Sequence, residues 1–361
     1  MATSENFELV WKFKANTFAE RLSDGILCVI IDDPSTTKLN SFSNYRKILK
    51  SGYTEDNINL LLDVYSNEDI KHLTVVSFDS TKDETIDDAT KTIDNENVKF
   101  NYLASALANT EEIKNKLITF VKLQRQAGNR IATLVLGNSP VKDNACVISL
   151  DFTNVEMGDG TIKTAEEFSL YYAAGCASCD LSKSMTYHKF TYVKKCELAD
   201  DADDIESNGG VYLFFDRDLN CIVGSTGINT KTTVGDNESS DLKDIRTDRI
   251  INMIYSDMKY MWKNSYLGTN NSYKQKKLLV GDFNSYFREL EVNGVLEESK
   301  ENKCVLDRDA IVDYLESQGI DTSKMKDEEI FSYDTDINVF VDGVVNITKT
   351  MEKIKINMDA E

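Results

Sequence analysis

Cys176 and Cys179 form the one CxxC of the chain, a spacing that serves thiol–disulfide exchange or supplies half of a structural zinc site. Zinc needs two further ligands. The remaining cysteines, Cys28, Cys146, Cys196, Cys221 and Cys304, stand singly, and His72 and His188 are the only histidines. An odd cysteine count at irregular spacing fits a reducing compartment better than a disulfide framework. The pair lies in TAEEFSLYYAAGCASCDL, where Thr164 and Glu167 have the spacing of a capping box and the small residues after them read as a close-packed helix. A packed helix face is the reading for this CxxC, with redox or metal chemistry as its alternative.

A nucleophile and base would have to use His72, in the polar lead-in to the strand HLTVVSFDS, or His188, inside the strand-like TYHKFTYV. Neither has a nucleophile motif nearby, and GxSxG, HExxH, GxxxxGK[ST] and GxGxxG are all missing. The glycine-containing VGSTGINTKTT, Val223 to Thr233, lacks phosphate-loop spacing and reads as a turn after a strand. ELADDADDIES lacks the ligand order of a calcium loop and reads as a short solvated helix before VYLFFD. No catalytic residue, metal ligand or cofactor is therefore expected.

At 361 residues and 41% hydrophobic content the chain can bury a sizeable core. Its 61 acidic against 41 basic residues leave a net charge of -20, which argues against nucleic acid or an anionic membrane as the main partner. No apolar run approaches the roughly 20 residues of a spanning helix. MATSENFELVWKFK lacks the apolar core of a signal peptide, so synthesis and folding in a cytoplasm are expected.

The elements that would position these residues alternate. GILCVIID reads as a strand, FSNYRKILK and TEDNINLLLDVYS as helices, and HLTVVSFDS as the next strand. Ser80 to about Asn97 reads as a polar linker. VKFNYLAS, then NTEEIKNKLITFVKLQRQAG closed by Gly128, then RIATLVLGN form a βαβ unit. CVISLDF, a hairpin around Gly158 to Gly160, the Thr164 helix, TYHKFTYV and the pair VYLFFD/CIVG complete an open α/β domain. From Asp248 the pattern turns helical, with core stripes of Ile250, Ile251, Ile254, Met258 and Met261, then Leu279, Phe283, Phe287 and Leu290. RDAIVDYLESQG follows as a third helix ending at Gly319.

INVFVDGVVNITKTMEKIKINMDAE reads as strands. Val339, Val341, Val345 and Ile347 share one parity, which favours a single strand, although Asp342 and Gly343 could make a two-residue hairpin. Ile354, Ile356 and Met358 repeat the alternation, and such a half-apolar strand must find a sheet edge.

YLGTNNSYKQKKLLVGDFNSYFRELEVNGVL, DRDAIVDYLESQGIDTSKMKDEEI and VFVDGVVNITKTMEKIKINM, in that order and spacing, resemble the C-terminal domain of contractile phage tail sheath proteins in their short Gram-positive form, as in phage-tail-like bacteriocins. FKANTFAERLSDGILCVIIDD resembles that family's N-terminal arm and first strand, and GDGTIKTAEEF and CIVGSTGINTKTT its middle domain, so the likeness runs along essentially the whole chain. TDINVFV departs from the glycine and basic residue common before the family's last long strand.

The resemblance implies an α/β fold with a subtilisin-like open middle domain and an α+β inner domain, laid out as an N-terminal arm (1–22), an N-terminal α/β region (23–90), the middle domain (91–243), the inner domain (244–348) and a C-terminal arm (349–361). It implies a non-enzymatic homo-oligomer of stacked hexameric rings around an inner tail tube, meeting baseplate and tail terminator proteins, with no nucleic acid and no membrane insertion. The particle would be a virion tail or bacteriocin assembled in a bacterial cytoplasm. Arms that add strands to neighbours would use Phe7, Leu9, Trp11 and Phe13 at one end and Ile354, Ile356 and Met358 at the other. Lys324 and Lys326, opening the predicted helix DTSKMKDEEIF, are candidates for tube attachment; a helix merely covering the inner sheet is the alternative. Another self-assembling scaffold or surface lattice, and least of all an α/β hydrolase, are the rival functions.

Overall fold

Both faces of GILCVIID are apolar because both faces are covered. Leu27, Val29 and Ile31 enter one buried cluster, and Cys28 and Ile30 enter another. The computed structural model describes residues 25–128, 132–199, 201–235, 239–352 and 354–355. It divides into two units, Met1–Arg249 and Ile250–Glu361.

In the first unit the strands are β1 (Ile26–Asp32), β2 (Leu39–Phe42), β3 (His72–Phe78), β4 (Tyr102–Ala104), β5 (Thr133–Gly137), β6 (Val147–Leu150), β7 (Asn154–Met157), β8 (Ile162–Thr164), β9 (Lys189–Phe190), β10 (Val193–Cys196), β11 (Gly210–Val211), β12 (Leu213–Asp216) and β13 (Cys221–Gly224). Seven of them form one sheet in the order β11-β6-β5-β4-β1-β3-β2, parallel except for the edge strand β2. The chain leaves β1 for β3 on one side, then crosses back to β4. Right-handed crossovers therefore place the connecting helices on opposite faces. The helices Glu55–Asn67 and Ala165–Ser178 cover the Leu27 face, and Ile86–Asn95 and Glu111–Gln126 cover the Cys28 face.

Ser80 to Asn97 is not a linker. It holds a 3-10 turn at Ser80–Lys82 and the helix Ile86–Asn95, which buries Ile86, Ala89 and Ile93. Three apolar side chains at helical spacing are enough once the sheet supplies a surface, and the Thr85/Asp88 capping box starts the helix. TYHKFTYV is likewise not one strand: β9 pairs with β13, whereas β10 pairs with β7, so the chain changes sheets between Phe190 and Val193.

In the second unit the helices Tyr273–Val292 and Arg308–Ser317 bury the expected faces, including Leu279, Phe283, Phe287 and Leu290. Ile250 and Ile254 are buried in the helix Ile245–Ser265, but Ile251 is exposed. β14 (Lys303–Leu306) pairs antiparallel with β15 (Val341–Val344). Asp342 and Gly343 lie inside that ladder opposite Val305 and Cys304, which excludes the hairpin. The strand is shorter than the sequence parity suggested, and Ile347 makes a separate bridge to Leu296.

Two glycines test this packing in opposite senses. A Cβ on Gly137 would lie 2.4 Å from backbone atoms of Ala165 and Glu166, so Gly137→Ala should destabilise by about 1–3 kcal/mol through overpacking. Gly281, in an exposed stretch of helix with open space around its Cβ position, should gain about 0.5–1 kcal/mol on conversion to Ala. Thermal melts should move down and up respectively.

Candidate assembly surface

Most of the residues with possible chemistry are engaged within the fold. Cys176 is buried within the helix Ala165–Ser178, and Cys179 caps its C-terminus. Burial pushes both thiols up, outweighing the opposing pull of Arg249, and a helix C-terminus adds negative potential where a thiolate would need positive. No group of three or more His, Cys, Asp or Glu side chains is placed to hold a metal among the described residues.

His72 opens β3 and is exposed. His188 Nε2 lies 3.0 Å from Glu68 Oε2, and Tyr192 donates its hydroxyl to the other Glu68 oxygen. Burial pushes the Tyr192 hydroxyl well up, so it is no nucleophile. Gly175 gives this pair room, since a Cβ there would stand 3.1 Å from both Glu68 Oε2 and His188 Nε2.

The Val223–Thr233 loop spends its amides on its own chain. Thr232 and Thr233 donate their N–H groups to Asp143 Oδ1 at 3.0 and 2.8 Å, and Gly227 N–H donates to Thr186 Oγ1. A carboxylate thus sits where a phosphate loop would leave space for an anion. The acidic stretch forms the helix Ala202–Ser207, with Asp201 capping Asp204 N–H at 3.0 Å.

One constellation escaped the sequence reading. Ser149 Oγ, fully buried in β6, donates to Asp151 and accepts from Lys142 Nζ at 3.2 Å and Ser139 N–H at 2.9 Å; Lys142 also bonds Asp151 at 2.7 Å. Serine, lysine and carboxylate in contact are the parts of a hydrolase, but a buried hydroxyl already engaged by three partners offers no approach to a substrate. These residues come from two short stretches, Ser139 to Lys142 after β5 and Ser149 to Asp151 at the end of β6, and no recognised motif joins them.

What remains for contact with other molecules is backbone edge and surface. Asn284 binds both backbone groups of Cys304, donating to its carbonyl at 2.9 Å and accepting from its N–H at 2.7 Å. That side chain plugs the outer edge of β14. In an antiparallel ladder a residue's N–H and C=O point the same way, so Cys304 and Gly343 opposite it form a non-hydrogen-bonded pair. The polar groups of Gly343 consequently face the outer edge of β15, which has no second strand partner among the described residues.

Lys324 and Lys326 are both exposed. The helix there is Asp327–Ser332, with three acidic residues in its first turn; Lys326 is its N-cap and Lys324 stands in the turn before it, so both lysines precede the helix. Ile354 is exposed and in no strand. Ile356, Met358, Phe7, Leu9, Trp11 and Phe13 lie outside the described residues.

Comparison with known proteins decides the kinship. A tail sheath protein of Clostridium phage phiCD119 is 28% identical over 374 residues, spanning 99% of each chain. The chain is a homologue of tail sheath proteins. No family model matches it. Its fold is that of a sheath tail protein from Listeria innocua, with TM-score 0.67 at 15% identity over 82% of this chain and 92% of the other. The helical sheath of the anti-feeding prophage in its contracted state superposes with TM-score 0.66 at 12% identity over 94% of both chains. A sheath tail protein from Desulfitobacterium hafniense aligns with TM-score 0.55 at 21% identity over 62% of this chain, which spans 53% of that longer one. Among the described residues of this sheath homologue, no helix is long and apolar enough to cross a membrane.

The cysteines give a direct check. Cys179→Ser should leave stability nearly unchanged, whereas Cys176→Ser, which puts a hydroxyl into a fully buried site, should cost about 1–3 kcal/mol in denaturant titration. Metal analysis of the purified protein should find no stoichiometric zinc.

Proposed function

We propose that the chain is the structural, non-enzymatic subunit of a contractile tail sheath, stacking as hexameric rings around an inner tube and contracting to drive that tube through a target envelope. The observation that carries this reading is the full-length match to a phage tail sheath protein, joined by the fold match to a contracted sheath over 94% of both chains. Inner tube, baseplate and terminator proteins are the partners this role requires, and the site of action is a virion tail or bacteriocin particle. The five-part division at 22/23, 90/91, 243/244 and 348/349 is proposed with it.

The open edge of β15 is the surface suited to accept a strand from a neighbouring copy. The donor proposed is the segment with Ile354, Ile356 and Met358; Phe7, Leu9, Trp11 and Phe13 form the second linking arm. Burying three such side chains contributes about 1.5–3 kcal/mol each. Ordering each residue of the arm costs about 1–2 kcal/mol, so one arm alone is marginal. Many arms in a ring act together, which makes assembly depend on a nucleus such as tube and baseplate. Contraction is then a rigid-body rearrangement of subunits with the arms as hinges.

Electron microscopy of the purified protein with its tube protein tests the role. Tubular, contractile sheath is expected, and a flat lattice would favour the alternative of a surface scaffold. Truncation before Thr350 should leave a folded, soluble subunit that forms no sheath. Ile356→Asp should behave the same way, because a charge on the buried face costs several kcal/mol unless paired. A subunit melting well below wild type, or normal sheath from the truncated chain, would reject donation by this segment. Lys324→Glu with Lys326→Glu should weaken co-assembly with the tube, most at low salt, since exposed ion pairs are worth little and are screened. Unaltered assembly across salt concentrations would move the tube contact elsewhere.

A further inference from the structure

The C-terminal end of the Ala165–Ser178 helix is held by two remote parts of the chain. Gly25 donates its N–H to the carbonyl of Ala177 at 3.1 Å. Arg249 Nη1 donates to the carbonyls of Cys176 at 3.1 Å and Cys179 at 2.5 Å, and the buried Arg246 donates Nε to the carbonyl of Leu181. The Cys176, Ala177 and Cys179 carbonyls lie at the negative end of the helix dipole, where a guanidinium is a strong partner, and Leu181 follows in the turn just beyond it.

The two holders are far apart in sequence. Gly25 immediately precedes β1. Arg246 and Arg249 stand within the first five residues of the helix Ile245–Ser265. Asp248 in the same stretch is clamped by Arg125 through Nη1 at 2.8 Å and Nη2 at 2.9 Å. At Gly25 the approach is so close that a Cβ would lie 2.4 Å from the Ala177 oxygen. The strand start and the helix end therefore cannot separate or slide without breaking the bond between them.

We propose that this helix end is a shared anchor that couples the start of β1 to the start of the Ile245–Ser265 helix, so that loosening one loosens the other. Gly25 and Arg249 bind neighbouring carbonyls of one helical turn. If the turn frays on losing Arg249, the acceptor of Gly25 is displaced. The coupling is a property of the single subunit; its use in passing load between linked subunits rests on the sheath reading.

Hydrogen exchange on the full-length soluble subunit tests the coupling. Arg249→Ala should speed exchange of the Gly25 amide by tenfold or more, although the Gly25 N–H and the Arg249 guanidinium bind different carbonyls, while β3 and β6 keep their protection. Arg249→Lys, which keeps the cation without the planar fork, should give a smaller increase. Gly25→Ala should speed exchange in the stretch from Ile245 to Arg249. A Gly25 amide protected to within twofold of wild type in Arg249→Ala would overturn the proposal, and so would loss of protection spread evenly over the sheet. The sheath reading fails separately: wild-type protein that builds no tubules with its tube would reject that role and leave the exchange result standing.

Discussion

The first unit depends on burying a helix that has almost no polar face. From Phe168 to Ala177 every residue of the Ala165–Ser178 helix is buried, pressed between the parallel sheet and the strands around β9 and β10. Such a helix can satisfy its unpaired backbone groups only at its ends. At the N-terminus Thr164 and Glu167 close the capping box, and Glu166 pairs with Lys114 at 2.8 Å, which also donates to the Asn138 carbonyl. At the C-terminus Gly25, Arg246 and Arg249 take that part. Glycine stands at both places where a strand meets the helix backbone, Gly137 at one end and Gly25 at the other.

That constraint shapes the edge of the sheet where open α/β folds usually bind ligands. Asp33, at the end of β1, accepts from Ser35, Thr54 and Asn57. Burial pushes its carboxyl up, yet the hydrogen bonds from Asn57, Thr54 and Ser35 outweigh it and hold the group below its ordinary range. Ser149, Lys142 and Asp151 bind one another, and Asp143 gathers the loop at Thr232 and Thr233. Polar side chains here fasten loops to the sheet. A scaffold whose polar groups are spent on its own loops suits a part that must carry load, and the same layered architecture with a vacant edge would suit an enzyme.

The second unit offers the complementary property. Among the described residues its sheet has two strands, one edge plugged by Asn284 and the other, along β15, with no further strand partner. An open edge is a liability in a lone protein and a connector in a polymer. An excess of 20 negative charges makes like-charged copies repel one another, which opposes unspecific pairing at an exposed strand edge.

The sequence alone determined the local elements and the kinship. Period-two and helical spacing located β1, β3, β5, β6 and the long helices, and the Thr164/Glu167 box appears where its spacing placed it, because these signals depend on neighbours within a few residues. The order of motifs toward the C-terminus resembles that of tail sheath proteins. Only the tertiary structure decided what depends on surfaces far apart in the chain. The Ile86–Asn95 helix became stable when the sheet covered Ile86, Ala89 and Ile93. TYHKFTYV split because Phe190 and Val193 found different partner strands, and Asp342 with Gly343 stayed in a strand because Val305 and Cys304 lay opposite. The meeting of Gly25 with Ala177 and of Arg249 with Cys176 has no sequence signature at all, since backbone carbonyls are present at every residue and only folding selects which ones a distant donor can reach.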